Sequence, residues 1–111
     1  MAKYTIKFTP LSNMDLEDIF NYISNNLYAQ KSADNLIDKI EEHIMKLSDH
    51  PYSGAVVIDE ILKSKGYRKI IIDNYILFYL VNESDKEVII MRCIYGGRNY
   101  ENLIWESALT P

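Results

Sequence analysis

The sequence is poor in cysteine, proline and glycine and has no long apolar run. Its 111 residues include one cysteine, three prolines and four glycines. No stretch reaches the roughly 18 to 20 uninterrupted apolar residues of a membrane span, and the start MAKYTIKF lacks the apolar run of a secretory signal. We therefore expect a cytoplasmic protein with no membrane association. The one cysteine, Cys93, lies in the apolar run VIIMRCIY, which predicts a buried, reduced thiol.

Motifs for metal, cofactor or nucleophile chemistry are also missing. His43 and His50 lie seven residues apart, and no HExxH or CxxC spacing occurs. The segment YGGRNY has adjacent glycines but lacks the lysine and the spacing of a phosphate loop. No serine, histidine and acid stand around an elbow motif. We expect neither a metal nor a cofactor.

Positive charge is scarce overall but concentrated in one place. The net charge of −4 argues against a protein that holds nucleic acid by bulk electrostatics. Residues 1–60 carry a net charge of −5 and residues 61–111 a net charge of +1. The stretch from Ile61 to Ile72 contains no acid and four cations: Lys63, Lys65, Arg68 and Lys69. These side chains form either an anion-facing patch or the solvated edge of a strand that uses lysine to discourage aggregation.

The chain has the size and composition of a single domain spanning 1–111, without repeats or linkers. YTIKF alternates like a half-buried strand and ends at Pro10. Two stretches with apolar residues at helical spacing follow, with Ser12 and Ser32 as predicted caps and Pro51 ending the second. A connection of a few residues predicts that these helices form an antiparallel hairpin.

Three strands are predicted at about 67–72, 75–81 and 88–94, after a connection over 52–66. Asp73 and Asn74 fit a two-residue turn between the first two strands. Asn99 is a plausible cap for a short C-terminal helix. The predicted class is α+β, in the order β-α-α-β-β-β, with the helical hairpin on one face of a small, mostly antiparallel sheet.

The strand YILFYLV is apolar on both faces. A sheet open to water on one side alternates with polar residues, so the face bearing Ile76, Phe78 and Leu80 must also be covered. The C-terminal segment around Trp105 and a partner chain are both candidates for this cover. Ile76, Phe78, Leu80 and Trp105 are therefore candidate contact residues of this face.

Arginine, lysine and tyrosine side chains remain as candidate site residues. Such groups can cleave RNA without a metal, through charge stabilisation at the phosphorane and perturbed acids and bases, or they can simply bind. Arg92 lies inside an apolar strand, where an unpaired guanidinium is costly, and a salt bridge to Asp73 or Glu87 is one expectation for it. A cleft facing a ligand is the other.

The order of elements, with YRKIIIDNYILFYLV and EVIIMRCIYGGRNYENLI, resembles the RelE/ParE superfamily of toxins from type II toxin–antitoxin modules. The likeness covers nearly the whole chain, including HPYSG at the end of the helical hairpin. It implies a bacterial growth inhibitor, as in plasmid stabilisation modules, that is held inactive by a cognate antitoxin. The predicted antitoxin-binding residues are Ile76, Phe78, Leu80 and Trp105. Operator DNA would be contacted only indirectly, through the antitoxin, and a homodimer is possible.

The resemblance leaves the target open. NYILFYLV and the long helical hairpin look like the branch that poisons DNA gyrase, and Ile76 stands where RNA-cleaving members tend to carry an arginine. Arg98 matches an arginine of the branch that cleaves mRNA on the ribosome, in which Arg68, Arg98 and Tyr100 would be catalytic. The predicted target-binding residues are Lys63, Lys65, Lys69, Arg92 and Tyr95. We favour gyrase binding, with a ribosome-dependent mRNA endonuclease and a non-toxic, antitoxin-binding or self-associating domain as alternatives.

Overall fold

A computed structural model describes residues 3–26 and 29–96, which form a layer of helices on a five-stranded sheet. The strands are β1 Thr5–Phe8, β2 Ala55–Val56, β3 Arg68–Ile72, β4 Tyr75–Asn82 and β5 Glu87–Tyr95. Their spatial order is β1-β5-β4-β3-β2. β1 runs parallel to β5, and the other neighbouring strands are antiparallel. The predicted α+β class with a mostly antiparallel sheet is confirmed.

The two long helices are α1 Pro10–Asn21 and α2 Gln30–Asp49, with a π-helical turn at Tyr22–Asn26 after α1. The N-cap of α1 is Thr9, whose hydroxyl accepts from the amide of Ser12 at 3.0 Å, and Pro10 occupies the first turn. The predicted cap at Ser12 is therefore wrong. Ser32 is not a cap either, because α2 begins at Gln30.

The helical hairpin covers one face of the sheet, as predicted. Ile40, Ile44 and Leu47 of α2 recur at helical spacing and are almost completely buried. They pack with Ile19 of α1 against β4 and β5 residues that point to the same face: Leu77, Tyr79, Val88, Ile90 and Cys93. Apolar burial on this face supplies the main stabilisation of the domain.

The opposite face, called the second face below, is covered by a segment that the sequence analysis treated as a plain connection. Residues 52–66 contain β2 and a short helix, α3 Glu60–Ser64, capped by the Asp59 carboxylate. Val57, Leu62 and Tyr67 from this region pack on the sheet residues Ile76, Phe78 and Ile94.

Ile76 and Phe78, two of the predicted antitoxin-binding residues, are thus covered within the chain, with side chains 8% and 0% exposed, while Leu80 is half-buried. The cover found for this face is the segment before β3, whose few apolar residues are spaced too irregularly to predict it. Trp105 and the predicted C-terminal helix lie outside the described residues. In the parts of the chain described, no helix has both the length and the apolar character needed to span a membrane.

Candidate functional site

The predicted cationic residues are divided between the two faces of the sheet. Successive residues of a strand point to opposite faces. In the observed register Lys69 lies beside Phe78, which lies beside Arg92, so all three belong to the second face. Arg68 lies beside Tyr79 and belongs to the helix-covered face. Lys63 and Lys65 are exposed at the end of α3, the helix that covers part of the second face.

Three lysines on the second face have no acidic partner among the described residues. Among residues 3–26 and 29–96, the lysine ion pairs join Lys3, Lys7, Lys39 and Lys86 to nearby carboxylates. Within those ranges Lys63, Lys65 and Lys69 form no ion pair. The half-buried apolar side chains of Leu80 and Met91 pack on the apolar cluster of the same face. A positively charged surface with apolar content therefore remains available for a partner.

Arg92 differs from these lysines because its charge is neutralised within the chain. Its Nε donates to Asp15 Oδ2 at 2.7 Å and its Nη2 donates to Asp15 Oδ1 at 2.9 Å, a bidentate pair. The two side chains are only 13% and 11% exposed. An ion pair of Arg92 was one expectation, but both expected partners were wrong, since Asp73 binds Lys39 and Glu87 lies near Lys7.

Asp15 also closes the free edge of β5. β1 ends at Phe8. The next residue, Thr9, donates its amide to the Ile90 carbonyl and its hydroxyl to the Met91 carbonyl. The Cys93 amide then donates to Asp15 Oδ2 at 3.0 Å. Burial, reinforced by the Asp15 carboxylate, raises the pKa of the Cys93 thiol to about 12. The prediction of a buried, reduced cysteine agrees with this environment.

Arg68 is held by neutral groups. Its Nη2 donates to the Tyr52 carbonyl at 3.2 Å, and the guanidinium carbon lies 5.3 Å from the centre of the Tyr52 ring. Its Nε is buried and has no hydrogen-bond acceptor within the described part of the chain. Burial raises the pKa of the neighbouring Tyr79 hydroxyl, although the Gly54 amide and Arg68 oppose this shift. No carboxylate of the described residues therefore compensates the positive charge of Arg68.

A second cluster, which the sequence analysis missed, surrounds Glu83. Its carboxylate accepts hydrogen bonds from Tyr4, at 2.6 Å, and from Tyr52 and Lys86. These hydrogen bonds lower the pKa of Glu83 to about 2. Lys86 contributes most, followed by Tyr4 and then Tyr52. The cluster joins the residue before β1, the loop after α2 and the β4–β5 turn. No local pattern could reveal it, because Tyr4 and Glu83 lie 79 residues apart.

Tyr95, a predicted target-binding residue, lines a separate cleft of about 600 Å³. The walls of this cleft come from the end of α1, the following π-helical turn, the start of β4 and the end of β5. The rings of Tyr75 and Tyr95 meet edge to face, with centroids 6.0 Å apart. Tyr22, 52% exposed, forms part of the rim. The sequence analysis named neither this cleft nor Tyr22.

Two predicted catalytic residues, Arg98 and Tyr100, lie outside the described residues, and Arg68 is the one predicted catalytic residue within them. No group of histidine, cysteine and carboxylate side chains suited to a metal ion occurs within 3–26 and 29–96. The described site residues are therefore an arrangement of cations and tyrosines. Such an arrangement can bind acidic and aromatic groups.

Comparison with known proteins gives one family match. Residues 6–100 match the family model described as the ParE toxin of the type II toxin–antitoxin system parDE. No curated protein matches the chain in sequence.

Solved structures share the fold. A chain of the chromosomal ParDE toxin–antitoxin system from P. aeruginosa is similar at a TM-score of 0.68 and 21% identity, over 86% of this chain and 98% of that one. A chain of the toxin–antitoxin complex RelBE2 from Mycobacterium tuberculosis is similar at a TM-score of 0.58 and 22% identity, over 86% and 93%. A mutant of the E. coli toxin RelE in the free state has a TM-score of 0.62 at 12% identity, over 96% of each chain.

Proposed function

The chain belongs to the ParE toxin family of type II toxin–antitoxin systems, and on that premise we propose that it inhibits growth by binding a target such as DNA gyrase until a cognate antitoxin neutralises it. The observation that carries this proposal is a set of second-face lysines that form no ion pair in the described part of the chain: Lys63, Lys65 and Lys69. Uncompensated charge beside apolar surface favours association with a macromolecule of complementary charge.

Binding is favoured over RNA cleavage because the described cations do not converge on one point. Lys69 and Arg68 point to opposite faces of β3, and Arg92 is neutralised by Asp15. Metal-free cleavage needs a cation at the phosphorane together with an acid and a base within hydrogen-bonding reach. The net charge of −4 is a second argument, because bulk attraction to ribosomal RNA would require the opposite sign.

A cognate antitoxin is the first expected partner. Two of the similar structures belong to a ParDE system and a RelBE2 toxin–antitoxin complex, which supports an antitoxin for this chain. The lysines and the half-buried Leu80 and Met91 of the same face favour an antitoxin segment with both acidic and apolar side chains. Its contact with the second face would exclude the target from the same surface.

The target is tested by running two assays on one purified sample. We expect inhibition of gyrase supercoiling or trapped cleavage complexes, with transcripts on translating ribosomes left intact. New transcript cuts that disappear in Arg68→Ala, with gyrase unaffected, would instead establish the endonuclease. Normal growth after induced expression without antitoxin, with folded protein present, would establish the non-toxic alternative.

The antitoxin surface is tested by charge reversal. Lys63→Glu combined with Lys69→Glu should weaken antitoxin binding by about a hundredfold and reduce its salt dependence, because close interfacial charge pairs contribute on the order of 1.5 kcal/mol or more each. Lys46→Glu is the matched control, since Lys46 is exposed in the last turn of α2, away from the second face. Equal affinities for the control and the double variant would contradict the assignment of this surface.

A further inference from the structure

The cleft lined by Tyr22, Tyr75 and Tyr95, called the tyrosine cleft below, has the chemistry of a cation site. Its volume is about 600 Å³, and Asp15 and Asp18 of α1 complete its polar wall. Tyr22 and Tyr95 are each about half exposed, so the rings are accessible from solvent. Aromatic ring faces attract cations electrostatically, and the attraction is stronger where water is partly excluded.

The two aspartates have different roles. Both oxygens of Asp15 are engaged, by Arg92 and by the Cys93 amide, so its charge is already balanced. Asp18 is exposed and, within the ranges described, forms no ion pair. One uncompensated negative charge therefore lies at the rim of three aromatic rings.

The Tyr75 hydroxyl does not alter this balance. Burial, followed by the nearby Cys93, Tyr22 and Tyr95, raises the pKa of Tyr75 above its ordinary value. Tyr75 is therefore neutral at physiological pH, and its ring acts through the quadrupole. An anionic group would meet Asp18 and the negative ring faces, and a neutral apolar group would leave Asp18 without a partner.

We propose that the tyrosine cleft receives a lysine or arginine side chain of the cognate antitoxin. This inference rests on the proposed function, because it assigns a contact to the antitoxin expected there. The second face offers the positive charge of Lys63, Lys65 and Lys69, and the tyrosine cleft offers the negative charge of Asp18. An antitoxin that carries acidic residues opposite the second face and a basic residue opposite the tyrosine cleft matches both charges. A partner with another order of charges does not, which disfavours non-cognate antitoxins.

The first test uses small probes on the isotope-labelled chain. N-acetyl-arginine methylamide should shift the ring resonances of Tyr22, Tyr75 and Tyr95, whereas the uncharged norleucine analogue should not. Asp18→Asn should weaken binding of the arginine probe by about fivefold, and Glu17→Gln, an exposed charge removal on the same helix, should leave it unchanged. Equal shifts with the neutral probe, or no shift of these rings, would overturn the proposal.

The second test uses the antitoxin itself in titration calorimetry. Asp18→Asn and Tyr22→Ala should each weaken binding by about tenfold, since a partly desolvated cation–π or charge contact is worth on the order of 1 to 2 kcal/mol. Circular dichroism checks that both variants, which change exposed side chains, remain folded. If wild-type protein arrests growth but the antitoxin binds all variants equally, the assignment of the cleft fails and the proposed function stands. Absence of growth arrest would instead defeat the proposed function, while the probe titration still reports on the cleft.

Discussion

Asp15 of α1 holds Arg92 of β5 in a bidentate ion pair that spans 77 residues of sequence. The same carboxylate accepts from the Cys93 amide, beyond the point where β1 stops pairing with β5. One side chain thus neutralises a nearly buried guanidinium and completes the hydrogen bonding of a strand edge. Several properties of the domain depend on this contact.

Replacing Asp15 should be the most damaging single change on α1. Asp15→Ala leaves Arg92 nearly buried without its carboxylate and the Cys93 amide without its acceptor, which should cost about 3 to 5 kcal/mol of unfolding free energy. Urea unfolding measures the loss. Glu17→Gln, an exposed change on the same helix, should remain within about 0.5 kcal/mol of wild type. Similar midpoints for the two variants would refute the structural role of Asp15.

Gly54 should not tolerate a side chain. A Cβ at this position would lie 2.5 Å from the Tyr79 hydroxyl and 2.8 Å from the Lys69 carbonyl oxygen. Because Tyr79 is completely buried, it cannot move aside, and Gly54→Ala should cost about 1 to 3 kcal/mol.

A double-mutant cycle identifies the cause of that loss. Tyr79→Phe removes the hydroxyl and relieves part of the clash, so Gly54→Ala should cost less in this background. Strict additivity of the two substitutions in denaturant unfolding would show that the contact with the Tyr79 hydroxyl is not responsible.

The Glu83 cluster should make stability depend on acidity. The folded-state pKa of Glu83 is lowered from 4.5 to about 2, chiefly by Lys86 and then by Tyr4 and Tyr52. A lowered carboxyl pKa stabilises the folded state above pH 4.5, and this contribution is lost as the pH falls from 4.5 towards about 2. Glu83→Gln should therefore flatten that part of the stability profile, measured by urea midpoints across pH. Glu42→Gln, an exposed change on α2, is the control. Parallel profiles for wild type and Glu83→Gln would argue against the contribution.

Cys93 should resist alkylation until the protein unfolds. A thiol pKa of about 12 leaves only about one thiol in ten thousand ionised at pH 8, and the side chain is 1% exposed. Labelling with iodoacetamide should be roughly 1000-fold slower in the native state than in urea, since an unperturbed thiol with a pKa near 8.5 is substantially ionised there. Rapid native labelling would contradict the buried position.

Local sequence patterns predicted the helices and turns whose structure depends on residues close together in the sequence. The spacing of Ile40, Ile44 and Leu47 identified the buried stripe of α2, and the Asp73–Asn74 pair identified the turn between β3 and β4, where Asp73 adopts a φ of +54°. The caps were less predictable, because Thr9 and Ser12 are both common cap residues and only the position of the first turn separates them.

Contacts between distant elements were not predictable in the same way. The partner of Arg92 depends on where β1 ends and on a register shift near Phe78 and Tyr79, which leaves Met91 without an opposite residue. The cover of Phe78 by Leu62 and the grouping of Tyr4, Tyr52 and Glu83 depend on the same tertiary geometry. The sequence therefore predicted which cations belong to the candidate site. Only the structure shows that Arg68 and Lys69 lie on opposite faces of the sheet.

The pairing of β1 with β5 also affects how the chain folds during synthesis. Thr5 lies beside Glu87 and Phe8 beside Ile90, so the first strand has no neighbour in the sheet until nearly all of the described chain has left the ribosome. A nascent chain that stops before β5 can form the helical hairpin but cannot complete the sheet. The apolar cluster of the second face and the tyrosine cleft, both of which include residues of β5, therefore form only after β5 has been synthesised.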